Sequence, residues 1–122
     1  MKGTVFALLL TVSLCANADY IDSIQVQLRE DCSLPEYLAI VNDFNKWGEN
    51  YGYRTEIAVP LQSNDLNSMY WMGRTANAQA FGKAWDAWRD AQADEKSAPS
   101  KLQARLNECA NPNVARSGFD VY

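Results

Sequence analysis

The side chains that could bind a ligand in this sequence recur at every second position of three short segments. An arginine presents a planar fork of N–H donors that suits carboxylate and phosphate groups. A tyrosine or methionine beside it can contact the apolar body of the same ligand. The pattern therefore predicts a site for a small, anionic ligand. The predicted ligand-binding residues are Gln27, Arg29, Arg54, Glu56, Tyr70, Met72, Arg74 and the C-terminal Tyr122.

Two other interpretations of these residues remain open. A set this polar, with Gln25 beside it, also suits an ordinary solvated face of a sheet. Arg54 and Glu56 can instead neutralise each other, or their neighbours across strands. The pattern alone does not choose between a ligand cavity and a solvated face.

The sequence offers few groups for catalysis. It contains no histidine, which removes the commonest general base and the commonest metal ligand. It has no nucleophile elbow, phosphate-binding loop or metal-binding motif. Acid–base work would fall to Glu56, Tyr70, Asp120 or Tyr122, with arginines holding an oxyanion, although neighbouring arginines favour the charged form of Glu56 and make it a poor base. These observations favour binding over catalysis, and they predict no cofactor and no metal.

The N-terminal segment has the three parts of a secretory signal peptide. Lys2 supplies the positive charge, an apolar run too short to span a bilayer follows, and an Ala-Asn-Ala cleavage site ends at Ala18. Cleavage there is predicted to leave residues 19–122 as a single domain in the periplasm or outside the cell. The alternative is a lipid anchor on Cys15, which Leu14 disfavours because a small residue is expected at that position.

Charge and hydropathy exclude two classes of partner. The formal net charge is −4, and loss of Lys2 with the signal peptide makes it one unit more negative. Nucleic acids and anionic membrane surfaces attract positive patches, so neither is a predicted partner. After cleavage, no apolar segment long enough to cross a membrane remains in the sequence.

Two cysteines follow the signal peptide, Cys32 and Cys109. A pair of cysteines in an exported protein usually forms a disulfide. Two thiols without a histidine are too few ligands for a structural zinc site. We therefore predict a disulfide between Cys32 and Cys109.

Hydrophobic periodicity predicts strands and helices in a recognisable order. Alternating segments indicate strands over residues 21–29, 53–61 and 67–74 and in the C-terminal tail. Helices are expected to begin at the N-caps Ser33, Asn77 and Ser97, and the first of them should end at Gly52. The predicted fold is α+β, with the ferredoxin-like order split β-α-β-β-α-β, a four-stranded antiparallel sheet and the helices on one face.

The expected strand pairing supports the predicted disulfide. We expect the first strand to lie beside the third in parallel, and the last strand to lie antiparallel beside the first. Cys32 follows the end of the first strand and Cys109 precedes the last strand, so antiparallel pairing makes the two cysteines neighbours.

Three of the four tryptophans lie within YWMGRTANAQAFGKAWDAW, residues 70–88. Phe81, Trp85 and Trp88 recur at helical spacing and form one stripe along the predicted second helix. Tryptophans in such a stripe usually belong to a core, and we place them against the apolar face of the sheet. The alternative is an exposed aromatic patch, formed by Trp85, Trp88 or Tyr51, that binds a protein partner.

The chain resembles the dimeric α/β-barrel superfamily, and within it the NIPSNAP-like branch. The resemblance covers nearly all of residues 21–122 in element order. The segments CSLPEYLAIVNDFNKW and YWMGRTANAQAFGKAWDAW are similar to those of small exported bacterial proteins of unknown function. Family members pack two open sheets face to face, which implies a homodimer with the polar sheet face inside a barrel.

The family includes cofactor-independent monooxygenases, haem-degrading enzymes and proteins without known activity. Its haem-using members rely on a histidine that this sequence lacks, so the resemblance does not extend to haem and transfers no catalytic residue. Three hypotheses follow: a homodimer that binds a small ligand, a cofactor-independent enzyme of the monooxygenase or isomerase type, and an interaction module of the cell envelope.

Overall fold

A computed structural model describes residues 18–122, except for the side chains of residues 112–114. The rest of the predicted signal peptide lies outside the described residues. Within the described range, none of the helices is both long and apolar enough to cross a membrane. The elements in chain order are β1 (Asp19–Leu28), α1 (Leu34–Gly48), a 3-10 turn (Glu49–Tyr51), β2 (Arg54–Ala58), β3 (Met69–Thr75), α2 (Ala78–Ala91), α3 (Ala98–Cys109) and β4 (Ala110–Val121).

The four strands form one sheet in the order β2-β3-β1-β4, and all three pairings are antiparallel. This arrangement confirms the predicted α+β, ferredoxin-like fold. The expected parallel pairing of the first and third strands is wrong. The crossover through α1 makes β1 parallel to β2, and the hairpin between β2 and β3 then turns β3 antiparallel to both.

Side-chain caps define where the three helices begin. Ser33 and Glu36 form the predicted capping box, in which the Ser33 backbone N–H donates to Glu36 Oε2 at 2.7 Å. Asn77 Oδ1 accepts from the Ala80 N–H at 2.8 Å and caps α2. Ser97 caps α3 in the same way. Each cap satisfies an N–H that lacks a partner in the first helical turn.

The second predicted strand is shorter than expected. It ends at Ala58, and Val59 and Leu61 are 50% and 91% exposed, so neither belongs to the core. Pro60 explains the early end, because proline has no N–H to donate to a sheet ladder. The last strand is longer than expected, because β4 begins at Ala110, directly after α3.

The core lies between the sheet and the helices, as the apolar periodicity predicted. Val26 and Trp71 from the sheet and Phe44 from α1 are buried there, and Trp47 and Trp88 pack against them. Phe44 is the centre of the aromatic packing, with its ring centroid 4.7 Å from that of Trp71 and 5.2 Å from that of Trp88.

The predicted disulfide between Cys32 and Cys109 is present, with the two Cα atoms 5.1 Å apart. The Arg29 N–H donates to the Cys109 carbonyl at 3.0 Å, directly beside the disulfide. The bond therefore joins the end of β1 to the junction of α3 and β4, where antiparallel pairing was expected to bring the cysteines together.

Candidate ligand site between the sheet and the helices

The candidate site is centred on Asp22, whose side chain lies on the helix-facing side of β1. Asp22 is two positions from Ile24 and four from Val26, so strand alternation places all three on the same face. Only 2% of Asp22 is exposed. A buried carboxylate is costly unless it is paired and hydrogen-bonded, so its surroundings must supply the partners.

Arg116 of β4 supplies the counter-charge of Asp22. Its Nε donates to Asp22 Oδ1 at 2.8 Å and its Nη2 donates to Oδ2 at 2.7 Å. Two parallel bonds of this kind are the geometry in which an arginine binds a carboxylate most strongly. Burial by itself would lower the pKa of Arg116, but the hydrogen bonds and negative charge of Asp22 raise it overall, so the guanidinium stays charged.

Tyr53 completes the coordination of the carboxylate. Its hydroxyl donates to Asp22 Oδ2 at 3.1 Å and accepts a 2.9 Å hydrogen bond from the indole Nε1 of Trp71. Burial is the largest cause that raises the pKa of Tyr53, and the charge of Asp22 raises it further. The phenol therefore stays protonated and acts as a donor throughout the physiological pH range.

Two glycines make room for this arrangement. Gly73 of β3 and Gly118 of β4 are the cross-strand neighbours of Asp22 on its two sides. A Cβ at Gly73 would overlap the ring of Tyr53, and a Cβ at Gly118 would overlap the hydroxyl of Tyr20. The Tyr53 ring lies over Gly73 and the Tyr20 ring lies over Gly118. Tyr53, which directly precedes β2, can therefore reach over β3 to Asp22 on β1.

An inner cavity of about 150 Å³ opens beside the Asp22–Arg116 pair. Aromatic rings from α1, α2 and the sheet form most of its wall, and Ala84 of α2 lies among them. Tyr37 also borders it, and burial raises the pKa of this phenol to about 12. The aromatic residues that line the inner cavity are Tyr37, Phe44, Trp47, Tyr53, Trp71, Phe81, Trp85 and Trp88.

A second, outer cleft of about 250 Å³ is also lined by Arg116. Asp22, Phe81, Trp85 and Arg116 line both spaces, and Tyr20, Ser117 and Gly118 complete the outer one. The Arg116 guanidinium carbon lies 4.4 Å from the centre of the Trp85 ring and 5.9 Å from that of Phe81. These cation–π contacts hold the guanidinium at the boundary between the two spaces.

The residues predicted from sequence to bind a ligand lie mainly on the opposite face of the sheet. Cross-strand register brings Tyr70 opposite Gln25, Glu56 opposite Met72 and Arg54 opposite Arg74. The structure therefore brings five of the predicted residues together on the neighbouring strands β2 and β3: Arg54, Glu56, Tyr70, Met72 and Arg74. They share a face, but both cavities described above lie on the other side.

Several of these polar side chains already have partners. Gln25 and Gln27 both donate to Ser68 Oγ, at 2.9 and 3.1 Å. Arg74 forms an ion pair with Asp19 at 2.8 Å between side chains that are about half exposed. These contacts tie the outer face of the sheet together.

Two predicted residues lie away from this group. Arg29 follows the end of β1, and its Nε donates to the Asn107 carbonyl at 3.0 Å, near the C-terminus of α3. A cation there stabilises the last turn of a helix. Tyr122 lies beyond β4 and is 93% exposed.

Sequence reasoning missed Asp22, Arg116, Tyr53 and Trp71 as site residues. One signal was present, because Asp22 occupies a position of the apolar face that continues with Ile24 and Val26. A charged residue on an otherwise apolar strand face needs a partner and marks a candidate site. No comparable signal in the tail indicates Arg116.

Comparison with known proteins supports the fold and adds no named family. No family model matches the sequence, and no curated protein matches it either. A similar structure is SnoaB, a cofactor-independent oxygenase from Streptomyces nogalater, with a TM-score of 0.50, 9% identity and coverage of 86% of this chain and 94% of that one. At this identity the similarity shows a shared fold alone, and membership of the NIPSNAP-like branch stays a prediction.

Two weaker similarities are to Bacteroides proteins. A conserved protein of unknown function from Bacteroides thetaiotaomicron, described as a possible oxidoreductase, gives a TM-score of 0.49 and 13% identity, with 86% of this chain and 99% of that one covered. A dimeric protein of unknown function with a ferredoxin-like fold, from Bacteroides fragilis, gives a TM-score of 0.46 and 12% identity over 84% and 95%.

Proposed function

We propose that this protein binds a small, planar ligand between its sheet and its helices, with an apolar ring in the inner cavity. The observation that carries the proposal is the position of Asp22, a carboxylate that is 2% exposed and borders a cavity lined by aromatic rings. Buried ion pairs usually stabilise a fold no better than apolar residues of similar volume. A buried carboxylate at the wall of a cavity, paired with an arginine that is partly exposed, therefore supports a role in binding.

The size of the inner cavity supports a ligand with a single aromatic ring. Protein interiors are close-packed and rarely leave empty spaces larger than a water molecule. An apolar cavity of about 150 Å³ accepts benzene in another protein, and the inner cavity here has about the same volume. The outer cleft adds space for a polar substituent beyond the ring.

The test is a titration of the purified, oxidised protein with benzamide, a neutral planar probe, followed by the indole N–H signals of the four tryptophans in NMR spectra. Saturable shifts of the Trp71 and Trp85 signals are expected. Ala84→Leu fills the inner cavity and should abolish these shifts. Ala104→Leu, on an exposed position of α3, is the matched control and should keep them. Shifts that persist in Ala84→Leu would reject the inner cavity as the site.

A homodimer formed through the outer face of the sheet is part of the proposal. Phe119 and Val121 of β4 lie on that face and are 51% and 39% exposed. Phe119 pairs across the strands with the buried Ile21, and Val121 pairs with Asp19. Two such faces packed together would cover this apolar area, as the resemblance to dimeric α/β barrels implies. The residues predicted to bind a ligand on this face would then line the space between two sheets, which is a second location for a ligand.

Sedimentation velocity tests the dimer directly. The expected result is a dimer for the unmodified protein and a monomer for Phe119→Glu, because the new charge would be buried in the interface. Leu38→Glu provides a control, since Leu38 is 38% exposed on α1, which packs against the opposite face of the sheet. A monomer at high concentration in the unmodified protein would reject the homodimer.

A cofactor-independent enzyme is the second candidate function. The favouring observation is the chain of hydrogen bonds from Trp71 through Tyr53 to Asp22 at the cavity wall, which can hold a proton beside a bound ring. SnoaB, which shares the fold, is described as a cofactor-independent oxygenase. Oxygen uptake with hydroquinone, an oxidisable phenol with a single ring, would support catalysis if it is lost in a Tyr53→Phe variant that still binds benzamide. Equal uptake in both proteins would count against it.

Export is proposed together with the binding function. The disulfide between Cys32 and Cys109 supports an oxidising compartment such as the periplasm or the cell exterior. Mass spectrometry of the protein recovered from the periplasm or the medium should give a chain that begins at Asp19. A chain that retains the N-terminal segment and remains inside the cell would contradict the proposed cleavage after Ala18.

A further inference from the structure

The guanidinium of Arg116 has hydrogen-bonding capacity that Asp22 does not use. An arginine carries five N–H donors in a planar fork. The Nε and one Nη2 donor bind Asp22, and among the described residues the second Nη2 donor and the two Nη1 donors have no hydrogen-bond partner. Because the group is planar, one Nη1 N–H and the remaining Nη2 N–H point the same way and form a second, free edge. The side chain is 31% exposed, so an incoming group can reach part of the guanidinium.

The surroundings of this free edge suit an acidic group attached to an aromatic ring. Trp85 and Phe81 line the outer cleft and provide apolar ring surface that a second ring can contact. Tyr20 lines the same cleft and carries a hydroxyl group. The strongest acceptor for a fixed guanidinium edge is a carboxylate, which can take two parallel hydrogen bonds.

The guanidinium is also held in place before a ligand arrives. Asp22 fixes it through two hydrogen bonds, and Trp85 fixes it from the side. A donor that is already ordered loses little conformational freedom on binding, which favours affinity. Both oxygens of Asp22 are occupied by Arg116 and Tyr53, so the carboxylate repels an incoming anion less than a bare charge would.

We propose that the ligand is an aromatic carboxylic acid whose carboxylate binds the free edge of Arg116 in the outer cleft while its ring lies among the aromatic side chains. This inference rests on the proposed binding function and specifies the class of ligand. It moves the predicted anion site from the outer face of the sheet to its helix-facing side.

The test compares benzoate with benzamide, which have the same ring and differ in charge. In the same NMR titration, benzoate is expected to bind the unmodified protein about tenfold more tightly than benzamide, the gain expected for a charged acceptor. Arg116→Gln should remove this difference, so that the two probes bind with equal affinity. Arg89→Gln, which makes the same charge change at an exposed position of α2, should preserve the difference.

A second variant keeps the test decisive if Arg116→Gln fails to fold. Asp22→Asn retains the shape of the site and releases Arg116 from its counter-charge, so benzoate should gain affinity relative to benzamide. Equal affinities of benzoate and benzamide in the unmodified protein, or no gain for benzoate in Asp22→Asn, would overturn the carboxylate assignment. If neither probe binds, the proposed function itself is rejected.

Discussion

The Tyr53 hydroxyl reaches Asp22 across a strand that separates them, and the hydrogen bond between the two is 3.1 Å long. Tyr53 directly precedes β2 and Asp22 lies on β1, with β3 between. This contact is possible because the phenol ring passes over Gly73, the residue of β3 that pairs with Asp22. The missing side chain of Gly73 on β3 therefore allows Tyr53 and Asp22, which lie on either side of that strand, to form a buried hydrogen bond.

Gly73→Ala is expected to destabilise the protein. The added methyl group would occupy space taken by the Tyr53 ring, so the ring must move and the hydrogen bond to Asp22 must lengthen or break. Overpacking of this kind costs about 1–3 kcal/mol in free energy of unfolding. Urea denaturation followed by tryptophan fluorescence measures the change.

Gly82→Ala is the matched control for that experiment. Gly82 lies inside α2, and a Cβ there would meet no atom within 4 Å. Alanine is favoured over glycine in a helix by about 1 kcal/mol, so the same substitution should raise the free energy of unfolding. If Gly73→Ala and Gly82→Ala change the free energy of unfolding in the same direction, steric room at Gly73 is not the deciding factor.

Arg116→Gln is expected to lower the free energy of unfolding by about 3 kcal/mol, because it leaves the buried Asp22 without its counter-charge. Asp22→Asn combined with Arg116→Gln removes both charges and should recover most of that loss. Urea denaturation of the single and double variants gives the coupling energy between the two sites. A double variant as unstable as Arg116→Gln alone would indicate lost packing rather than an uncompensated charge.

An exposed ion pair supplies the comparison. Arg74 and Asp19 are 2.8 Å apart, but each side chain is about half exposed. Surface pairs contribute about 0–1 kcal/mol because water screens them. Arg74→Gln should therefore change stability far less than Arg116→Gln, although the two substitutions are chemically identical.

Replacement of both Cys32 and Cys109 by serine is expected to reduce the free energy of unfolding by about 4 kcal/mol. The disulfide joins residues 77 positions apart, and closing so long a loop restricts the unfolded chain strongly. A reducing agent should lower the stability of the unmodified protein to that of the double variant and leave the variant unchanged. An unchanged free energy of unfolding of the unmodified protein after reduction would contradict the stabilising role assigned to this disulfide.

The fold was predictable because its signals are local. Ser33 with Glu36, Asn77 and Ser97 each mark a helix start within a few residues, and those caps are present. The direction of β3 relative to β1 was mistaken because it depends on two successive connections, each of which sets the direction of the next strand. The end of a strand depends on which backbone groups pair. Pro60 has no N–H to donate to the sheet, and β2 ends before it, at Ala58.

The site was less predictable because its parts are distant in sequence. Asp22 and Arg116 are 94 positions apart and meet only when β4 pairs with β1. The alternating pattern assigned polar residues to one face and aromatic residues to the other. It did not reveal that an ionic pair lies on the aromatic face, where Gly73 and Gly118 leave the room for it.

Alkaline pH is expected to destabilise the protein through Tyr37, whose pKa burial raises from 10 to about 12. The phenol of the folded state keeps its proton up to about pH 12, whereas the unfolded chain releases it above pH 10. Its stabilising contribution is therefore complete below pH 10 and is lost as the pH rises from 10 to 12, at about 1.4 kcal/mol per pH unit. Denaturation between pH 9 and 12 should show a shallower decline in Tyr37→Phe. An equally steep decline in that variant would show that other groups cause the alkaline loss.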